Sequence, residues 1–265
     1  MTMKTATRRL KAWLSELLAP TECRCLNCGR EVFNGLGFCD DCKKTAILNV
    51  GKTCKRCGRS IEGAEDYCTN CSFDRIYFDK SYSAFVYDGS IRDAILKFKF
   101  AGDGNFARIF AKHLAALAVK NNLEFDVVAY APMTKKAIKE RGYNQAGLLA
   151  EHFCDILECS DKLCNAVAKI KETERQETLG RTERRTNLIG AYRCIANVEG
   201  KRVLVIDDIN TTGATLNECA KVLKRSGAVI VVGLMIASTR EKFDYEVEDE
   251  GQSKPESRKK AGKNC

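Results

Sequence analysis

The chain has 265 residues, room for one large domain and a small module, and an apolar content of 45% that suits a packed core. No apolar run approaches the roughly 20 residues of a membrane span, and the opening stretch carries Lys11 and Glu16 among its apolar residues without a small-residue cleavage pattern, so a cytoplasmic protein is expected. Formal net charge is +9 with every cysteine counted as neutral, a basicity that permits nucleic-acid binding and equally suits a polyphosphate ligand.

Residues 6–19 read as a short amphipathic helix, with Leu10, Trp13, Leu14, Leu17 and Leu18 at helical spacing and Pro20 as its stop. An internal repeat follows: 25–42 and 54–71 share the spacing C-x2-C-x10-C-x2-C and a Cys-Gly-Arg triplet, offset by 29 residues. A CxxC turn presents two thiolates to one ion, and zinc favours four soft ligands in a tetrahedron. Cys25, Cys28, Cys39 and Cys42 are therefore assigned to one structural zinc, and Cys54, Cys57, Cys68 and Cys71 to a second. Spacing alone leaves open an interleaved arrangement, with one pair from each repeat, and the use of Cys23 in place of Cys25. Without a secretion signal, such pairs are read as metal ligands rather than disulfides. The scattered Cys154, Cys159, Cys164, Cys194 and Cys219 are given no role.

From about residue 80 the pattern alternates between strands and helices. Ser83–Tyr87, Asp126–Ala131, Lys201–Asp207 and Val229–Met235 have strand character. Helical spacing recurs at 91–98, 105–119, 144–158 and 214–226. Such alternation predicts an α/β fold with a parallel sheet and flanking helices. The chain thus divides into an N-terminal helix (1–22), a double four-cysteine module (23–75), a sheet domain (76–240) and a charged tail (241–265) expected to be disordered. His113 and His152, the only histidines, are read as packing or surface residues.

The sharpest feature is VLVIDDINTTGAT at 203–215. An apolar strand delivers Asp207 and Asp208 to its carboxyl end, where open α/β sheets bind ligands. The loop of Thr211, Thr212, Gly213, Ala214 and Thr215 can turn backbone N–H groups toward a phosphate at a helix N-terminus. A simple acidic turn capping a helix is the plainer alternative. This segment resembles the fingerprint of the phosphoribosyltransferases: a hydrophobic strand, two acids and a Thr-Thr-Gly-x-Thr loop. The resemblance implies a type I phosphoribosyltransferase fold that binds phosphoribosyl diphosphate (PRPP), with the acid pair on the ribose hydroxyls and the loop around the 5′-phosphate.

Two further segments narrow the family. Residues 131–145 offer Lys135, Lys136, Lys139 and Arg141 beside Gly142, and 175–187 is a charged stretch long enough for a lid; the plainer reading of 131–145 is a solvated basic loop. With the cysteine module in front, the motifs Arg141-Gly142-Tyr143-Asn144-Gln145 and Gln176, Leu179, Arg184, Asn187, Leu188, Ala191, Tyr192 are similar to those of the ComF family of competence-related proteins. That resemblance implies a double zinc ribbon and a phosphoribosyltransferase-like domain using PRPP with Mg²⁺. Lys135, Lys136 and Arg141 would steady departing pyrophosphate. It implies partners too: single-stranded DNA and DNA-uptake or recombination proteins, with Lys97, Lys99, the 135–141 cluster, Arg181, Arg184 and Arg185 tracking phosphates. A non-catalytic DNA-binding or regulatory module that uses PRPP as a ligand is the alternative to a transferase.

Overall fold

The computed structural model describes residues 24–33, 36–100, 104–172 and 188–241. The N-terminal helix, Cys23, the lid over 175–187 with its arginines, and the tail beyond Glu241 lie outside the described residues. The sheet has four parallel strands, β1 (Lys80–Val86), β2 (Val127–Tyr130), β5 (Arg202–Asn210) and β6 (Ile230–Ser238), in the order β1-β6-β5-β2. Its two central strands are buried on both faces, which is why they read as continuous apolar runs. Among the described residues no helix is long and apolar enough to cross a membrane.

Alternate residues of β5 feed two separate cores. Leu204 and Ile206 face the side covered by α3 (Gly89–Phe100), α4 (Gly104–Lys120) and α6 (Gln145–Ile156); Val203 and Val205 face α7 (Ala214–Arg225). The buried stripe of α4 includes Ala107, Ala111, Ala115 and Ala118 beside Phe110 and Leu114. Those small side chains let α6 pack closely with Ala146, Leu149, Ala150 and Phe153. The larger residues expected on that stripe, Phe106 and Leu117, lie only at its margin.

Register explains where the sheet opens. Strand β2 stops at Tyr130, opposite Ile206, because Pro132 follows and lacks a donor to continue the ladder. Beyond that point β5 continues through Asp207–Asn210 paired to β6 alone. The helices that follow the neighbouring strands β2 and β5 pack on opposite faces, α6 on one and α7 on the other. A crevice at the carboxyl ends of β2 and β5 is the result.

Three elements differ from the sequence expectation. The basic stretch after β2 is a short helix, α5 (Lys135–Arg141), rather than a loop; Thr134 caps its first turn by accepting from Ala137 N (3.2 Å), and Gly142 ends it. A two-stranded antiparallel ribbon, β3 (Val167–Lys169) with β4 (Tyr192–Cys194), was not signalled, since each strand is three residues long. Short helices α1 (Asp40–Lys43) and α2 (Thr69–Phe73) start at the second thiolate pairs, with Cys39 and Cys68 at their N-caps and Cys42 and Cys71 within them.

The cysteine repeats are built into the sheet domain rather than strung before it. In each, a bridge closes the first CxxC knuckle, Arg24 to Glu31 and Thr53 to Ser60. Leu26, Val32 and Phe38 of the first ribbon join the core under α3 and α4, whereas Ile61 of the second joins the core under α7. Lys97 of α3 reaches the Asn27 carbonyl, and His113 of α4 meets the Leu36 carbonyl at 3.2 Å, so that histidine is indeed a packing residue. Glu241, expected to begin the tail, instead accepts from Thr69 N and Oγ1, both at 2.6 Å.

The tightest contact between ribbon and sheet is at Gly58, whose φ is +66° and where an added Cβ would lie 2.3 Å from the Ser81 carbonyl oxygen of β1. Gly58→Ala should therefore cost about 2 kcal/mol or more and lower the melting midpoint by at least roughly 4 °C. Gly63→Ala, where φ is +89° but nothing lies within 4 Å, should cost only about 1 kcal/mol of backbone strain. Differential scanning calorimetry of the two variants checks the contrast.

Candidate anion-binding site and metal centres

Asp207 and Asp208 stand where β5 has outrun β2, and both border the crevice. Each carboxylate is oriented by the backbone just after it: Asp208 N donates to Asp207 Oδ1 (2.9 Å) and Ile209 N to Asp208 Oδ1 (2.7 Å). Lys99, at the end of α3, brings its ammonium within 3.6 Å of Asp208 Oδ2. Burial and the neighbouring Asp208 charge push the Asp207 carboxyl well above the usual range, with Lys99 opposing in part. Asp207 is thus the strained member of the pair.

The loop after β5 turns at Gly213, whose φ of +79° only glycine adopts at little cost, and α7 begins there. Its carbonyls are held from behind by the second ribbon. Arg59 Nη2 donates to Thr211 O, Thr239 Oγ1 to the same oxygen at 3.2 Å, and Asn70 Nδ2 to Thr212 O at 3.5 Å. Asn210 Nδ2 completes the seam by donating to Cys57 O at 3.3 Å. Among the described residues, the backbone N–H groups of Thr211, Thr212 and Gly213 have no protein acceptor. They border a small concavity of about 20 Å³ that also touches Asp207 and the first residues of α7. Free amides, a glycine turn and a helix N-terminus together form an anion nest.

The wider crevice has a volume of about 780 Å³, with Asp207, Asp208, Thr211 and Thr215 on one wall. Of the basic residues expected to face a leaving group, Lys136 and Arg141 line the same crevice, while Lys135 is exposed outside it. Sequence reasoning missed Lys99, Lys169 and Tyr192 as lining residues. Burial lowers the Lys169 pKa and raises that of Tyr192, whose ring lies 5.8 Å from the Lys169 ammonium.

The Arg-Gly-Tyr-Asn-Gln motif is chiefly a set of tethers. Asn144 caps α6 by accepting from Gly147 N (3.2 Å) and donates to Ala131 O (3.0 Å), which fixes the end of β2. Tyr143 donates to Phe98 O, and Gln145 to Lys99 O at 3.2 Å, so two of its side chains grip the last turn of α3 and set the backbone that carries Lys99. The Lys97-Phe98-Lys99 run is consequently engaged in contacts within the protein: Phe98 is fully buried, exposed Lys97 bonds the first ribbon and Lys99 faces Asp208.

The eight ligand cysteines form two sets within repeats, Cys25, Cys28, Cys39, Cys42 and Cys54, Cys57, Cys68, Cys71; in each set the sulfur atoms all lie within 4.8 Å of one another. Interleaved pairing is thereby excluded. Four thiolates about 2.3 Å from one tetrahedral zinc sit about 3.8 Å apart, and the Cys28–Cys39 and Cys57–Cys68 sulfur separations are 3.6 and 3.5 Å. The donor sets fit zinc, and with four protein ligands neither has an open position for chemistry.

A family model described as phosphoribosyl transferase domain matches residues 107–263, and one described as double zinc ribbon domain matches residues 14–72. The chain is 29% identical over 213 residues to Competence protein F of Haemophilus influenzae, covering 77% of this chain and 92% of that one. It is 29% identical over 161 residues to Competence protein ComFC of Bacillus subtilis (58% of this chain, 62% of the relative). Over 106 residues it is 33% identical to DNA utilization protein YhgH of Escherichia coli O157:H7 (40% and 46%). The similarity to ComF proteins drawn from the motifs is borne out.

The Asp207 environment carries a sign that can be checked. A carboxyl whose pKa rises on folding contributes stability below its unfolded pKa and loses it as pH climbs through the raised folded value. Asp207→Asn should therefore raise the melting midpoint at pH 7.5 by roughly 2–4 °C, for about 1 kcal/mol regained, and the gain should shrink as pH falls toward 4. Thermal melts of both proteins across that range provide the measurement.

Proposed function

We propose that this chain, which belongs to the phosphoribosyl transferase domain family and carries a double zinc ribbon ahead of that domain, binds PRPP at the carboxyl end of its central strand and transfers the phosphoribosyl group to an acceptor with release of pyrophosphate. One juxtaposition carries the reading: the carboxyl pair Asp207–Asp208 lines a crevice that Lys136 and Arg141 also line, and the unpartnered amides of Thr211–Gly213 border the small concavity that shares Asp207 and Thr211 with it. A sugar phosphate needs acceptors for its hydroxyls and donors for its phosphate, side by side.

In this reading the two carboxylates accept from the ribose hydroxyls, and the loop N–H groups with the hydroxyls of Thr211, Thr212 and Thr215 hold the 5′-phosphate. Displacement breaks the bond from the anomeric carbon to pyrophosphate, which leaves with the electron pair, and forms a bond to the acceptor nucleophile. Positive charge grows on the sugar next to Asp207 and Asp208, while negative charge grows on pyrophosphate toward Lys136 and Arg141. The protein contributes position and preset electrostatics rather than covalent chemistry. The oxygen donors Asp207, Asp208, Glu140 and Glu172 on the crevice suit Mg²⁺, which when bound with pyrophosphate supplies charge neutralisation.

The names of the relatives, competence and DNA utilization proteins, extend the proposal to a cytoplasmic role in handling incoming DNA. Lys135 and Lys139 are exposed on α5 outside the crevice and are the residues that favour a single-stranded-DNA surface there. Such binding should weaken steeply between 50 and 200 mM salt in fluorescence anisotropy.

Titration calorimetry with PRPP and Mg²⁺ tests the main reading. The intact chain should bind, and the Asp207→Ala, Asp208→Ala double variant should lose at least about 100-fold in affinity, about 2.7 kcal/mol, with its circular dichroism unchanged. Equal affinity in a folded double variant would contradict the assigned site.

A further inference from the structure

The two Cys-Gly-Arg triplets have the same sequence and opposite fates. Arg30 of the first ribbon lies on the surface, 66% exposed, paired with Asp41 at 2.8 Å. Arg59 of the second is only 8% exposed and makes no ion pair with a carboxylate among the described residues. Its Nε is buried without a partner, and its Nη2 donates to the Thr211 carbonyl. A buried guanidinium without a counter-charge is costly, by several kcal/mol before compensation.

We infer that Arg59, with Asn70 beside it, is the positioning residue of the anion nest. It never touches the ligand; it sets the peptide planes that do. In a trans peptide the carbonyl and the N–H point in opposite directions. Holding Thr211 O toward the ribbon therefore aims Thr212 N–H at the crevice, and Asn70 on Thr212 O does the same for Gly213 N–H. A cationic donor on the carbonyl also polarises that peptide and strengthens its N–H as a donor. The positive charge behind the loop then meets its counter-charge when a phosphate docks.

The anchorage is rigid. The Arg59 carbonyl accepts from Cys54 N (2.8 Å), Asn49 Nδ2 donates to Gly58 O (2.7 Å), and Gly58 rests on the Ser81 carbonyl. The side chain thus projects from a knuckle locked both to its own thiolate cluster and to β1.

This inference rests on the PRPP reading, and the experiment separates the two. Full-length protein and the variants Arg59→Met, Arg59→Lys, Asn70→Asp and Arg30→Met are titrated calorimetrically with PRPP, ribose 5-phosphate and Mg²⁺-pyrophosphate, with zinc content and melting midpoint recorded for each. Arg59→Met should weaken PRPP and ribose 5-phosphate by the same factor, at least about 10-fold (about 1.4 kcal/mol), and leave pyrophosphate within about 2-fold. Arg59→Lys, which keeps the charge, should recover most of the loss, and Arg30→Met should match the parent. Should Arg59→Met fail to fold, Asn70→Asp decides: it replaces the amide donor by an anion and should also lose at least about 10-fold on the two 5′-phosphates alone. Parent protein that binds neither sugar phosphate ends the PRPP reading and this inference together. Parent binding with unchanged affinity in folded Arg59→Met or Asn70→Asp, or an equal loss on pyrophosphate, overturns the positioning role alone.

Discussion

A peptide plane cannot offer its hydrogen to one side without presenting its oxygen to the other, and the loop after β5 is arranged around that constraint. For three consecutive N–H groups to remain available at a crevice, the carbonyls behind them must be satisfied by something else, or the loop would collapse onto itself. Arg59 and Asn70 of the second zinc ribbon supply donors for Thr211 O and Thr212 O, and Thr239 N supplies one for Asn210 O. Gly213 makes the turn, β5 brings the acids, and the ribbon keeps the loop facing outward. A domain that reads in the sequence as a separate metal-binding preface is, in space, packed against the back of the Thr211–Gly213 loop.

The same logic accounts for the motif residues between β2 and α6. Asn144, Tyr143 and Gln145 each spend a side chain on a main-chain carbonyl, at Ala131, Phe98 and Lys99. These bonds tie the end of β2 to the end of α3 beside the crevice, where Asp207 has no partner on β2 and pairs with β6 alone. They hold Lys99 where its ammonium partly offsets the strain between the two carboxylates. Burial beside Asp208 raises the Asp207 pKa, the kind of perturbation that clusters at functional sites.

How much of this was legible in the sequence depended on the range of the interaction involved. The cysteine sets, the buried runs of β5 and β6, and the acid pair followed by Thr-Thr-Gly are local patterns, written within about twenty residues, and each was read at the right place. The helix α5 was missed because five of its seven residues are charged and Ala137 and Ile138 alone make no apolar period; only Thr134, a plain capping residue, marked its start. Strands β3 and β4 were missed because three-residue strands leave no period to detect. Lys99 was read as a surface cation, since nothing near it announces that Gln145 and Tyr143 will turn the end of α3 toward Asp208. Arg59 was the hardest: in sequence it matches Arg30, and only the docking of one ribbon and not the other behind β5 tells them apart.

The pairing of β1 has a consequence for how the molecule comes together. Its only partner in the sheet is β6, some 150 positions later, and the knuckle at Gly58 rests on that same edge strand. During synthesis the two ribbons can each close on a metal ion from sequence-local ligands well before any sheet exists. Residues 47–49 can pair with that strand early, through Asn49 N to Ala84 O and Val86 N to Ile47 O (both 2.9 Å), but its parallel neighbour β6 closes a far longer span, and such contacts form slowly. A nascent chain can thus hold two finished knuckles and a half-paired edge strand before β6 supplies the parallel partner that completes the sheet.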